Sequence, residues 1–235
     1  MTTQELMASF SVPSLIAFGP STSWPSKTFL KYIRRVLLED QRLCKFAEAI
    51  RDLPNAWLAL VEMEPALSNT PGLRYLKSLS EWLETGTLSP DDVQKYESAD
   101  VWDSVPPNTL LSPLTVIIHI VQYFDFLELW RGSGSRSQVG SSYIVIEGFC
   151  TGQIAAQAVA LSSSEDVLVE IAGRALRLAA GIGALIDLDG IWNATPHKTS
   201  AFVTRWSSSG EEERLQEIVE SIPNVIASPQ TVLFR

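Results

Sequence analysis

The feature that most constrains this chain is a five-residue link. A β-branched apolar run, residues 143–146, reads as a buried strand. An alanine-rich stretch, residues 155–160, reads as a helix. Between them lie Gly148-Phe149-Cys150-Thr151-Gly152. The chain must leave a strand and enter a helix within this link, so it has to turn sharply. Gly148 and Gly152 remove side chains where strand and helix pass closely. Cys150 then projects at the helix N-terminus, in the arrangement of a nucleophile elbow. Free N–H groups and the helix dipole there favour a thiolate and a developing oxyanion. The plainer reading of the same residues is a buried cysteine at a tight turn.

The rest of the pattern alternates helices with short strands. Residues 14–19 read as a buried strand, followed by a turn-rich stretch, 20–25. A helix starts near Ser26, with Phe29, Ile33, Val36 and Leu37 at helical spacing. A second covers 41–53 through Leu43, Phe46 and Ile50, and in it Cys44 reads as a small buried residue. Pro54 ends that helix or opens the next, 56–64. Pro71 opens another, closed by Gly86. Residues 87–111 read as a surface segment with one short helix, 91–97. Ser112-Pro113 starts an apolar helix, 114–129, and residues 131–140 read as a flexible loop. Ser164 caps a helix that runs to about Ala184, carrying Val167, Leu168, Ile171, Ala175, Leu178 and Ile182. Asp187 and Asp189 read as a helix-ending turn. A strand at 201–206, a helix at 211–222 and the beginning of a strand at 231–235 follow. This order predicts an α/β fold.

Composition narrows the function. A chain of 235 residues, 46% hydrophobic and 19% charged, suits one domain with its own core. Eighteen basic against 27 acidic residues give a net charge of -9. That balance argues against binding nucleic acid through its phosphates. The densest basic cluster, Lys27, Lys31, Arg34 and Arg35, reads as the solvated face of one helix. Two cysteines with His119 and His197 offer no metal-ligand spacing. His119 reads as a packed mid-helix histidine and His197 as a surface one. No Gly-rich phosphate loop is present. No apolar run reaches the ~18 residues of a membrane helix, and the start lacks a signal-peptide pattern. The expectation is an intracellular, cytoplasmic protein without a membrane segment.

The Gly148–Gly152 motif and its alanine-rich helix resemble the starter-unit acyl-carrier-protein transacylase domain of fungal non-reducing polyketide synthases. Ile16-Ala17-Phe18-Gly19 resembles that family's first strand. Residues 112–118 with Gln122-Tyr123 resemble the helix before the nucleophile strand. Residues 175–179 with Ile182-Gly183 resemble the helix after it, and 202–206 the strand leading to the small subdomain. The resemblance implies a malonyl-transferase-like fold, with a large α/β subdomain carrying the elbow and a small ferredoxin-like subdomain inserted in it. It implies Cys150 as a nucleophile that takes an acyl group from coenzyme A or a carrier protein. The acyl group then passes to the phosphopantetheine thiol of a synthase carrier domain. No tightly bound cofactor is implied; the phosphopantetheine thioester is substrate. Backbone N–H groups of Thr151 and Ser21 would receive the oxyanion, Gly148 and Gly152 being the elbow glycines.

Two departures qualify this. The family's first loop reads Phe-Gly-Asp-Gln, against Phe18-Gly19-Pro20-Ser21 here. The family's general base is a histidine beyond the small subdomain, and neither His119 nor His197 matches it. Residues 1–235 therefore read as the N-terminal portion of such a domain, with 201–235 as the start of the small subdomain. Three functions compete: starter-unit acyl transfer, a catalytically silent scaffold that contacts carrier or synthase domains, and an unrelated thiol enzyme of the α/β-hydrolase kind.

Overall fold

Helices make up most of the computed structural model, which describes residues 15–19, 24–88, 106–132, 145–192 and 214. All but the last fall in one unit, Met1–Ala194; residue 214 belongs to a second, Thr195–Arg235. Ser26 starts α1 (Lys27–Glu39), its hydroxyl accepting from the Phe29 N–H at 3.2 Å, and the helix buries Leu30, Ile33 and Leu37. A 3-10 turn (Gln41–Leu43) leads into α2 (Cys44–Arg51). Pro54 lies in the first turn of α3 (Leu53–Met63), so it opens that helix. After a second 3-10 segment (Pro65–Asn69) comes α4 (Gly72–Thr85), closed by Gly86 at φ 81°.

Two readings of this region need correction. Cys44 is exposed. The buried stripe runs through Leu43, Phe46, Ala47 and Ile50, and Cys44 is turned away from it. Nor is Arg34 simply solvated. Its guanidinium donates to the carbonyls of Trp82, Leu83 and Glu84 at 3.1, 2.8 and 2.7 Å. It shares the Trp82 carbonyl with the Gly86 N–H and satisfies those of Leu83 and Glu84, which the end of α4 leaves without helical partners.

The centre is a pair of long antiparallel helices, α5 (Asn108–Gly132) and, beyond the second strand and α6 (Gly152–Ala160), α7 (Glu165–Trp192). Ser164 caps α7 through the Val167 N–H at 3.3 Å. The helix passes its expected end at Ala184, so Asp187 is helical rather than part of a terminating turn. Its carboxylate accepts from the Asn108 and Thr109 N–H groups, each at 2.8 Å, and from the Thr109 hydroxyl at 2.6 Å. This cap explains why α5 starts at Asn108, before Pro113, where the sequence predicts a surface segment. Thr109 and Leu110 are buried. A Cβ at Gly183 would stand 2.2 Å from the Asn108 carbonyl oxygen, so only glycine permits this contact.

The face of α7 turned to the core holds Leu168, Ala172, Ala175, Leu176, Ala179, Ala180 and Ala184. Leu178 and Ile182, apolar residues of the same helix, are 54% and 39% exposed. The alanines take the core positions because they let two helices approach closely. At the opposite end, Arg42 pairs with Asp40, Glu128 and Glu165, and Arg131 with Glu128 and Glu165. No unbroken apolar run of that length is present, yet residues 108–131 form a helix long and apolar enough to cross a membrane by length and composition, its most apolar 18-residue stretch having a mean hydropathy of 1.6. Much of this helix is packed inside the protein as a core element.

The strands β1 (Leu15–Phe18) and β2 (Val145–Gly148) pair in parallel, Leu15 with Val145 through Phe18 with Gly148. A parallel pair needs a crossover, here the helices between them. The architecture is mostly helical with a small parallel sheet, compatible with an α/β acyltransferase-like fold. The strands are not buried as expected. Phe18 is the one fully buried residue of the pair, and Leu15 and Val145 are 51% and 50% exposed. Among the described residues the sheet has two strands, and helices cover the face bearing Phe18. The expected helix at 91–97, most of the loop at 131–140 and the elements at 201–235 lie outside the described residues, apart from Arg214, which is helical.

Asp187→Ala removes a charged acceptor from two helix-terminal N–H groups and is expected to cost about 2 kcal/mol. Asp187→Asn should cost about half of that. Urea unfolding midpoints check both.

Candidate active site

Strand β2 delivers the chain to Phe149, whose N–H donates to the Phe18 carbonyl at 2.9 Å. At Cys150 the backbone turns into the left-handed region, φ 55°, the one positive φ outside glycine among the described residues. For a residue with a Cβ this costs about 1–2 kcal/mol. The first turn of α6 closes at once. Gly152 N–H donates to the Phe149 carbonyl and Gln153 N–H to the Cys150 carbonyl, each at 3.0 Å.

Both glycines are sterically required. A Cβ at Gly148 would stand 2.4 Å from the Gln153 Cα, and one at Gly152 2.2 Å from the Phe18 carbonyl oxygen. These neighbours are backbone and have no flexible end to move aside. α6 packs inward through Ala155, Ala156, Ala158 and Val159. Its small side chains bring the helix, and the turn before it, close to the core.

Gly148, Cys150, Thr151 and Gly152 are thus held together on one turn. Cys150 is exposed and forms no disulfide. Its sulfur lies 3.8 Å from the Thr151 hydroxyl. The Thr151 N–H makes no hydrogen bond among the described residues. An exposed thiol on a strained turn, with an unengaged N–H one residue later, is chemically suited to attack a carbonyl and to receive the oxyanion formed. Ser21 and His197 lie outside the described residues.

His119 is placed on α5 with its ring edge-on to Phe18, centroids 5.4 Å apart. Its Nδ1 is shielded from solvent without a hydrogen-bond partner. Burial lowers its pKa from 6.5 to about 4. Sequence reasoning missed the part played by Phe18. Its ring packs on α5 while its carbonyl holds the turn. The available signal was His119 and Tyr123, four residues apart on one helical face, opposite an apolar strand end.

Two outcomes follow from this geometry. Gly152→Ala should destabilise the fold by about 2 kcal/mol or more, seen as a lower thermal midpoint, since the new Cβ overlaps backbone. Acid should reveal His119. Between pH 6.5 and about 4 the unfolded chain binds a proton that the folded chain refuses. Stability therefore falls as pH drops through that window, by on the order of 2 kcal/mol. His119→Phe should remove that component, measured as the difference between the two stability–pH curves.

The family described as "Starter unit:ACP transacylase in aflatoxin biosynthesis" matches residues 91–226, more than half of the chain. The 5-methylorsellinic acid synthase of Aspergillus terreus is 32% identical over 209 residues, 89% of this chain and 8% of that protein. A non-reducing polyketide synthase of Metarhizium robertsii is 30% identical over 93% of this chain and 10% of its own length. The methylphloroacetophenone synthase of Cladonia uncialis is 30% identical over 91% of this chain and 8% of its own length. The chain thus spans 8–10% of the length of these three relatives. A strand–turn–helix centred on Gly148–Gly152 lies inside the matched region, and the chain belongs to the starter unit:ACP transacylase family.

Proposed function

We propose that this chain loads a starter acyl group in polyketide biosynthesis through a thioester on Cys150. The observation that carries the reading is the exposed Cys150 in left-handed conformation at the start of α6, within a chain of the starter-unit transacylase family. The Cys150 thiolate attacks the thioester carbonyl of an acyl-coenzyme A or acyl carrier protein. The oxyanion forms against the Thr151 N–H, with the Ser21 N–H as second donor. Collapse breaks the carbon–sulfur bond to the donor, whose thiolate takes up a proton. The thiolate of a carrier domain's phosphopantetheine then attacks the acyl-Cys150 carbonyl and releases the Cys150 thiolate.

One thioester replaces another, so the step is nearly balanced in energy. Positioning and oxyanion stabilisation are what the protein must supply. The proposed partners are the carrier and neighbouring domains of a polyketide synthase, and the proposed setting is cytoplasmic. Residues 1–235 act in this reading as the N-terminal portion of the transacylase domain, with 201–235 leading into a small subdomain. The alternative is a catalytically silent scaffold that keeps the elbow and contacts the same domains.

Intact-protein mass after incubation with a panel of acyl-coenzyme A thioesters decides between them. The expected result is an acyl adduct that disappears in Cys150→Ala. An accessible Cys150 thiol with no adduct from any donor selects the silent scaffold.

A further inference from the structure

We propose that His119 is a positioning residue for Cys150 that acts through Phe18; the proposal rests on the reading of the elbow given above. Phe18 is buried at 7% exposure. Its ring meets His119 edge-on at 5.4 Å and Tyr123, one helical turn later, at 6.3 Å. Its carbonyl accepts from the Phe149 N–H at 2.9 Å. The same carbonyl oxygen stands where a Cβ on residue 152 would come within 2.2 Å. Phe149 and Gly152 flank the Cys150 turn, and both are fitted to this one group. A displaced Phe18 ring carries its carbonyl with it, and the turn must follow.

His119 is an unusual choice for that support. Its Nδ1 is shielded and unpartnered. A buried polar atom without a partner destabilises the fold, so a hydrocarbon ring there would be more stable. The nitrogen's cost falls on the side chain that abuts Phe18. Ring size supplies a reason. Imidazole is smaller than phenyl, so a phenyl ring in its place would displace the Phe18 ring that it meets edge-on. A truncated side chain would leave the Phe18 ring without its edge contact. The imidazole thus trades stability for the placement of the turn.

The test uses the full chain and two thiols. Cys150 and Cys44 are both exposed and free, so Cys44, on α2, serves as an internal reference. Alkylation of each by iodoacetamide is followed by mass spectrometry in wild type, His119→Phe and His119→Ala, alongside thermal unfolding. His119→Phe is expected to raise the thermal midpoint yet lower the Cys150-to-Cys44 rate ratio about tenfold. His119→Ala should lower both. A purely structural role would move the ratio in neither direction when stability rises. An unchanged ratio in a folded His119→Phe overturns the proposal. Should either His119 variant fail to fold, Phe18→Leu must show the same loss of ratio, and an unchanged ratio there also overturns it. Alkylation needs no acyl donor, which separates this proposal from acyl transfer. A ratio that depends on residue 119 in a chain taking no acyl group keeps the positioning and removes the transfer. An acyl adduct with an indifferent ratio does the reverse.

Discussion

The antiparallel contact between α5 and α7 is the constraint on which the rest of the molecule depends. Two helices of 25 and 28 residues lie close because alanines and Gly183 occupy the meeting face. Each end is tied by charge. At one, Asp187 caps the start of α5. At the other, Arg42 and Arg131 join Glu128 and Glu165. The Arg42 guanidinium also lies 5.2 Å over the Phe124 ring, so it belongs to the core surface as well as to the ion pairs. Exposed pairs of this kind each contribute little. Their value here is that they fix the relative register of helices whose apolar face, made largely of methyl groups, specifies it weakly.

The candidate site stands on that helix pair. Phe18 packs on α5, and α6 packs against both long helices through its alanines. The turn at Cys150 therefore has little freedom. Gly148 is pressed against the backbone of α6, and Gly152 against that of β1. A strained φ at Cys150 persists because the surroundings on each side determine it.

Local signals were legible in the sequence, and long-range ones were not. The helix starts at Ser26 and Ser164, the stop at Gly86 and the strand–turn–helix around Cys150 each depend on a few neighbouring residues. The start of α5 was misplaced because its cap arrives from Asp187, far along the chain. Apolar character alone did not say which residues of α7 face the core: Leu178 and Ile182 are exposed, and alanine is what the close helix contact requires. Strand burial was overestimated because β-branched composition does not say how many faces of a sheet are covered. Cys44 was placed inside for its residue type, although the stripe beside it already held enough large apolar side chains. At the candidate site the motif was visible, but the role of the Phe18 carbonyl was not. A backbone acceptor leaves no mark on the sequence.

The register of the two strands has a consequence for how the turn comes to exist. Leu15 and Val145 pair across about 130 residues of chain. Closing so long a loop costs conformational entropy, and a parallel pair of four residues each cannot recover it alone. The packing of the helices between the strands must supply the difference. The conformation of Cys150 is therefore conditional on the helical layer that lies between the two strands in the chain. Damage to that layer, however remote, is felt as a loosening of the strand pair and reaches the thiol as a change in shape.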